Sequence, residues 1–339
     1  MGQASVREED LGKGIIAWAL NGAGGLKLRV LNYGGTVQKL ILPDGTDVVI
    51  GFENVAGYVE NPYFAQLIGR YGNRIANGVF TLDGVQYKLA QNNGPNNLHG
   101  GVQAFHTKLW QGMATVEGNC AVLRLALHSP DGEEGFPGNL DAEVTYTITP
   151  DNVWRVDYSA KSDAATPINL TQHAYFNLKG DGQGDMLDHD LQLFADAYLP
   201  VDETLIPTGE RRAVKGTPFD FTRSKKVGLE IDADDLQLRY GAGYDHTWIL
   251  NHPDGVLTRA ARLSAAGRTL EVWTTEPGVQ VYTGNYIPNG MKGKHTYVRR
   301  GGIALETQHW PDSPNHPDFP STILRPGQTY QTTTEFRFS

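Results

Sequence analysis

Four clusters carry the residue types that chemistry needs: Gly69 to Gly78, Asn96 to Gly101, Asn169 to Leu178 and Ile303 to Asp312. Glu306 is the most informative residue. If 303–308 is a strand, Ile303 and Leu305 share one face, and Ala304, Glu306 and Gln308 share the other. A mid-strand carboxylate faces either solvent or a concave polar site. Gln308 and Trp310 on the same face favour the second, because acid, amide and indole together suit a sugar's hydroxyls and C–H faces. His173 would share a strand face with Thr171 and Tyr175. Its unperturbed pKa suits proton transfer near neutrality. His99 precedes Gly100-Gly101, Asn73 and Arg74 lie in a Gly-bounded segment, and Asp245 lies in Gly243-Tyr244-Asp245-His246. Each residue alone also fits a plainer role: exposed strand carboxylate, hydrogen-bonded structural histidine, or turn residue. Together, Glu, two His, Asp, Arg, Asn and Trp suggest acid/base work on a polyol or sugar.

The elements that must hold these groups read as strands. Period-two alternation recurs at Leu26-Leu28-Val30, Leu123-Leu125-Leu127, Val144-Tyr146-Ile148, Trp154-Val156-Tyr158, Leu270-Val272, Val279-Val281 and Ile303-Leu305. Asp83-Gly84 between two such runs signals a hairpin, and Pro43-Asp44-Gly45, Ala266-Gly267 and Pro277-Gly278 signal turns. Forty glycines in 339 residues exceed the usual ~7% and suit a chain that turns often. Helical patterning is scarce; a short helix is expected within 222–240 only. The fold class read from this is all-β, one large antiparallel domain over 1–339 with two packed sheets, and residues 1–11 as a peripheral segment.

Composition narrows the function. Twenty-nine Lys+Arg against 38 Asp+Glu give a net charge of −9, which disfavours a nucleic-acid partner. A lone cysteine, Cys120, excludes an intrachain disulfide framework and a Cys-based zinc cluster. No run approaches the ~18 apolar residues of a membrane span. The polar, acidic N-terminus does not read as a signal peptide, so the expected location is cytoplasmic, with no membrane partner. Gly22-Ala23-Gly24-Gly25 and Gly180-Asp181-Gly182 lack the third glycine and context of a dinucleotide site. Gly293-Lys294-His295 is not a phosphate loop, and no His-Glu-x-x-His occurs. Asp181, Asp185, Asp188 and Asp190 match no calcium loop and read as a solvated surface segment. No cofactor and no metal are expected.

The four clusters, Gly243-Tyr244-Asp245-His246 and Glu276 to Asn285 resemble the aldose 1-epimerase family in order and spacing, from about residue 12 to the C-terminus. The resemblance implies a large antiparallel β-sandwich of the galactose-mutarotase type with the sugar in an open cleft. It implies an isomerase that interconverts the α and β anomers of free aldohexoses such as D-galactose and D-glucose. Glu306 would be the base at the C1 hydroxyl and His173 the acid at the ring oxygen. His99, Arg74, Asp245, Gln280 and Asn73 would bind the sugar. Ring opening, rotation about C1–C2 and reclosure would follow, with acid and base on opposite sides of the C1–O5 unit. A nearby carboxylate would raise His173 and help hold its proton. Tyr71-Gly72 departs from the small apolar residues of many relatives, which bears on substrate preference. The alternatives are a hexose-6-phosphate 1-epimerase, which needs extra cations for phosphate, a glycoside hydrolase with two flanking carboxylates, and a non-catalytic sugar-binding protein. A monomer or homodimer is expected.

Overall fold

The computed structural model describes residues 2–252 and 255–339. Alternating apolar residues form the strands they predict. Leu140–Ile148 and Val153–Ser162 pair over nine positions, with Val144, Tyr146, Ile148, Trp154 and Val156 all buried on one face. They lie in a nine-stranded sheet that runs, in space, Gln111–Glu117, Cys120–Ser129, Leu140–Ile148, Val153–Ser162, Tyr330–Phe338, Arg268–Thr274, Thr258–Ala265, Asp190–Leu193 and Lys225–Lys226. A six-stranded sheet runs Tyr175–Phe176, Ile303–Gln308, Gly278–Tyr282, Asp245–Ile249, Ala197–Leu199 and Arg212–Ala213. Neighbouring strands in both sheets are antiparallel.

The two sheets face each other as a β-sandwich. Their inner faces share one apolar cluster that includes Leu123, Val156 and Phe336 from the larger sheet and Phe176, Val279, Val281 and Leu305 from the smaller. The Phe176 and Phe336 rings lie 5.4 Å apart, and the hydroxyls of Thr307 and Thr334 meet at 2.6 Å across the interface. Burying such a continuous apolar face is the main drive for the arrangement.

Asp83-Gly84 makes the expected two-residue hairpin, with Leu82 opposite Val85 and positive φ of 51° and 82° at the turn. The helix expected within 222–240 is shorter than that window: Leu236–Gly241, capped by the Asp235 carboxylate, after a 3₁₀ turn at Val227–Leu229. A second short helix, Val55–Glu60, has no clear sequence signal. Ser5–Gly12 is an edge strand, mostly exposed, paired with Ile15–Asn21 in a four-stranded sheet.

The acidic segment is not uniformly solvated. Asp181 is buried, 3.1 Å from the Lys294 ammonium and 2.7 Å from the Tyr297 hydroxyl, while Lys294 also reaches Asp47 at 2.7 Å. Asp181 therefore ties the loop to the segment that carries Lys294 and Tyr297. Spacing could not show this because Lys294 and Tyr297 lie more than a hundred positions away. No helix among the described residues is long and apolar enough to cross a membrane.

Candidate active site

Strand alternation builds the floor of the site. In Ile303–Gln308 and Gly278–Tyr282, Leu305, Val279 and Val281 point into the sandwich. Glu306, Gln280 and Tyr282 therefore project from the opposite face. Register aligns Thr247, Gln280 and Glu306 in one cross-strand row, with Asp245 opposite Tyr282 in the next. The smaller sheet thus supplies a polar platform on its outer face.

Loops supply the walls. Arg74–Ile75 pairs with Asn97–Leu98, which brings Arg74 beside His99. Asn73 and His99 both have positive φ, 63° and 53°, and lock each other: the Asn73 amide donates to His99 Nδ1 at 3.1 Å, and the His99 amide donates to the Asn73 carbonyl at 2.9 Å. Gly100, at φ +87°, has no room for a side chain; a Cβ there would stand 2.2 Å from the Gly69 carbonyl oxygen. Thr171–Gln172 pairs with Leu67–Ile68 and delivers His173 next to the platform.

A cleft of about 440 Å³ results, lined among others by Asn73, Arg74, His99, His173, Asp245 and Glu306. His173 Nε2 stands 3.4 Å from Glu306 Oε1, and its ring centre is 5.3 Å from that of His99. Arg74 Nη2 lies 3.6 Å from Asp245 Oδ2, and its Nε donates to Asn93 Oδ1 at 3.0 Å. Gln280 is spent on the platform: Nε2 donates to Asp245 Oδ1 at 2.6 Å, and Oε1 accepts from the Thr247 hydroxyl at 2.5 Å. It orients Asp245 from beneath.

Two expectations change. Trp310 does not supply an aromatic plate to the cleft. Its ring packs edge-on against Phe319 with Arg211 4.9 Å above it, and its N–H donates to the Pro277 carbonyl. The strand ends at Gln308, so alternation no longer governs Trp310. The aromatic lining comes from Tyr63, Tyr175, Tyr240, Tyr282 and Tyr286. Tyr175 and Tyr282 were within reach of sequence reasoning, two residues beyond His173 and Gln280 on the same faces. Tyr63, Asn93 and Glu203, which also line the cleft, carry no such signal.

The second change is electrostatic. Glu306 does not raise His173. Burial dominates and pushes the imidazole down to about 4, with the nearby His106 adding to the effect. Glu306 is pushed well above the usual carboxylate range by burial and by the Asp245 charge, against a lowering by Arg74. Asp245 is raised by burial, offset by Arg74 and Gln280. Burial thus disfavours the charged form of each partner, and the alternative to ionised Glu306 beside protonated His173 is a neutral pair, protonated Glu306 beside neutral His173. That pair holds the same single proton as ionised Glu306 beside protonated His173 and is one proton transfer away from it.

Burial also pushes His99 well down, so its ring is neutral. Since Nδ1 accepts from Asn73, Nε2 carries the hydrogen and is a donor. Ligand atoms of His99, His173 and Glu306 lie within 4.8 Å of one another. The tautomer set by Asn73 makes His99 Nε2 a donor, unsuited to ligate a cation.

Arg74 is the cation that opposes the two buried carboxylates. In Arg74→Met, Glu306 is expected to titrate at still higher pH, because a lowering influence is lost while Asp245 remains. Carboxyl carbon NMR of glutamate-labelled protein checks this; an unmoved Glu306 resonance would contradict it.

The family model described as Aldose 1-epimerase matches residues 17–337. The chain is 44% identical to a galactose mutarotase of Bos taurus over 322 residues, 93% of this chain and 91% of that protein. It is 40% identical to an aldose 1-epimerase of Escherichia coli over 324 residues, 93% of this chain and 92% of that protein. A crystal structure of a galactose 1-epimerase from Lactobacillus acidophilus superimposes with a TM-score of 0.90 at 29% identity, covering 100% of this chain and 99% of the other.

Proposed function

The chain belongs to the aldose 1-epimerase family and is an isomerase that interconverts the anomers of free aldoses; we propose that Glu306 and His173 carry its two proton transfers. The observation that carries this reading is their adjacency, 3.4 Å apart and both buried on the cleft floor. The C1 hydroxyl and ring oxygen are bonded to the same carbon, so an acid and a base that serve both must stand close together. They are neighbours in this cleft.

In the forward direction Glu306 takes the C1 hydroxyl proton while His173 gives a proton to the ring oxygen. The C1–O5 bond breaks to leave an aldehyde and a C5 hydroxyl. Rotation about C1–C2 presents the other carbonyl face, and reclosure returns both protons. The reaction needs the pair's proton moved to His173 whenever it rests on Glu306. Sugar hydroxyls that hydrogen-bond to the ionised carboxylate favour that shift. His99 Nε2–H is a donor for a sugar oxygen, and Arg74 with Asp245 offers both a donor and an acceptor for hydroxyls. Asn73 acts through His99 and Gln280 through Asp245.

Free sugars are favoured over hexose 6-phosphates by the charge of the lining. It carries Glu203, Asp245 and Glu306, with Arg74 as the cation and already paired. The reading extends to one epimerase domain over 1–339, supported by the family match over residues 17–337, and to a cytoplasmic setting.

The test is optical rotation of freshly dissolved α-D-galactose and α-D-glucose. Both should reach anomeric equilibrium much faster than in buffer, and α-D-glucose 6-phosphate should not. Buffer rates with both free sugars, or a faster rate with the phosphate, would overturn the reading.

A further inference from the structure

Tyr63 has no counterpart in the mechanism above, yet it holds an unusual place. It is an aromatic residue at φ +76°, a region that non-glycine residues occupy uncommonly. Gln66 holds it there: its Oε1 accepts from the Tyr63 amide at 2.6 Å, and its Nε2 donates to the His106 carbonyl at 3.0 Å. The same short segment is bonded to the proposed acid. The His173 amide donates to the Gln66 carbonyl at 3.0 Å, and the Ala65 amide donates to the His173 carbonyl at 2.9 Å.

The Tyr63 ring stands between His99 and His106, with centres 4.7 Å from each, and lies 6.4 Å from His173 at an interplanar angle of 26°. Behind it is a second cavity of about 500 Å³, whose lining includes Asn92, Gln103, His106 and Thr107. Among the described residues, Tyr63 alone lines both this cavity and the sugar cleft. The second cavity mixes polar groups with Val59, Pro62 and Val102, opens to solvent at the exposed Val59 and Val102, and is roomy enough to hold water.

We propose that Tyr63 is a positioning residue: its ring is the partition that keeps water of the second cavity away from the His99–His173 edge and holds both imidazoles in place. The catalytic part of this proposal rests on His173 as the acid. The dryness of the edge does not.

The charged and titratable groups around that edge are Glu306, Asp245, Arg74, His106, Tyr175 and Tyr282. Burial is the largest influence on His99 and His173, and it lowers both. Water admitted through the partition would relieve it, so both imidazoles would titrate closer to 6.5.

Tyr63→Asn removes the ring with a residue that tolerates the left-handed backbone. Tyr63→Phe keeps the ring and is the control. Imidazole proton resonances followed from pH 7 to 4 in the free protein read the dryness directly. The expected result is an upward move of His99 and His173 in Tyr63→Asn and none in Tyr63→Phe. The same Asn variant should lose about 10- to 100-fold in kcat with a smaller change in KM, as for a catalytic group displaced by about 1 Å. Unmoved titrations in folded Tyr63→Asn would overturn the partition. Moved titrations with unchanged kcat would support the partition and overturn the claim that Tyr63 holds the imidazoles in place for catalysis, whereas wild-type kcat in His173→Gln would overturn His173 as the acid. If Tyr63→Asn does not fold, Tyr63→Leu reads the same resonances, with a smaller upward move expected and an unmoved pair overturning the proposal.

Discussion

Glu306→Gln is expected to fold as the wild type does and to lose roughly 10²–10⁴-fold in kcat for anomer exchange, the usual contribution of a positioned general base. The substitution keeps shape and removes only the ability to accept a proton. Folding should not suffer, because the carboxylate is itself an unfavourable burial: its environment raises its pKa, and an uncharged amide avoids that desolvation. Sugar affinity should change little, since an amide can still hydrogen-bond to hydroxyls. The measurement is background-corrected polarimetry together with isothermal titration of galactose binding. A variant that binds galactose but equilibrates it at the buffer rate fits the assignment. Retention of the wild-type rate would remove Glu306 from the role of base.

His173→Gln is the second large effect, again roughly 10²-fold or more in kcat. Its pH dependence is more telling than its size. In the wild type the working unit is a pair with one proton. Lowering the pH adds a second proton, which leaves the pair without a base. Since burial holds His173 down to about 4, that acid limb should lie well below neutrality. In His173→Gln only ionised Glu306 can act, and its environment holds it above the ordinary carboxylate range. Residual activity of the variant should therefore rise with pH where the wild type is already flat. A residual rate flat across the same range would contradict this. The double variant Glu306→Gln with His173→Gln should be little slower than either single one, because groups that act as a unit lose their effect together.

The antiparallel class was legible from alternation alone. Leu123-Leu125, Val144-Tyr146-Ile148 and Trp154-Val156 became adjacent strands with their apolar residues buried in the sandwich. Alternation also placed Glu306 on the face opposite Leu305, because a strand has only two faces. The same rule misled at Trp310, two positions after the strand ends, where the chain bends and the ring packs on Phe319.

The residue types of Glu306, His173, His99, Arg74, Asp245 and Asn73 were enough to suggest proton transfer on a polyol, and their order and spacing were enough to indicate the family. Residue identity fixes what a side chain can donate, accept or titrate, and a linear chain displays identity and local period in full.

Tertiary structure decided the rest. It set the 3.4 Å approach of His173 to Glu306, the use of Gln280 to hold Asp245, and the interior place of Asp181. It turned the expected upward shift of His173 into a downward one, because desolvation depends on how completely other segments close over a group, and no local pattern records that. It placed Tyr63 between two cavities, a position defined by segments that meet only in the folded chain. Residue types and their local period set the chemistry available and the strands that carry it. The distances, the dryness and the proton's resting place came from contacts between residues far apart in sequence, and these set which of the available protonation states is favoured.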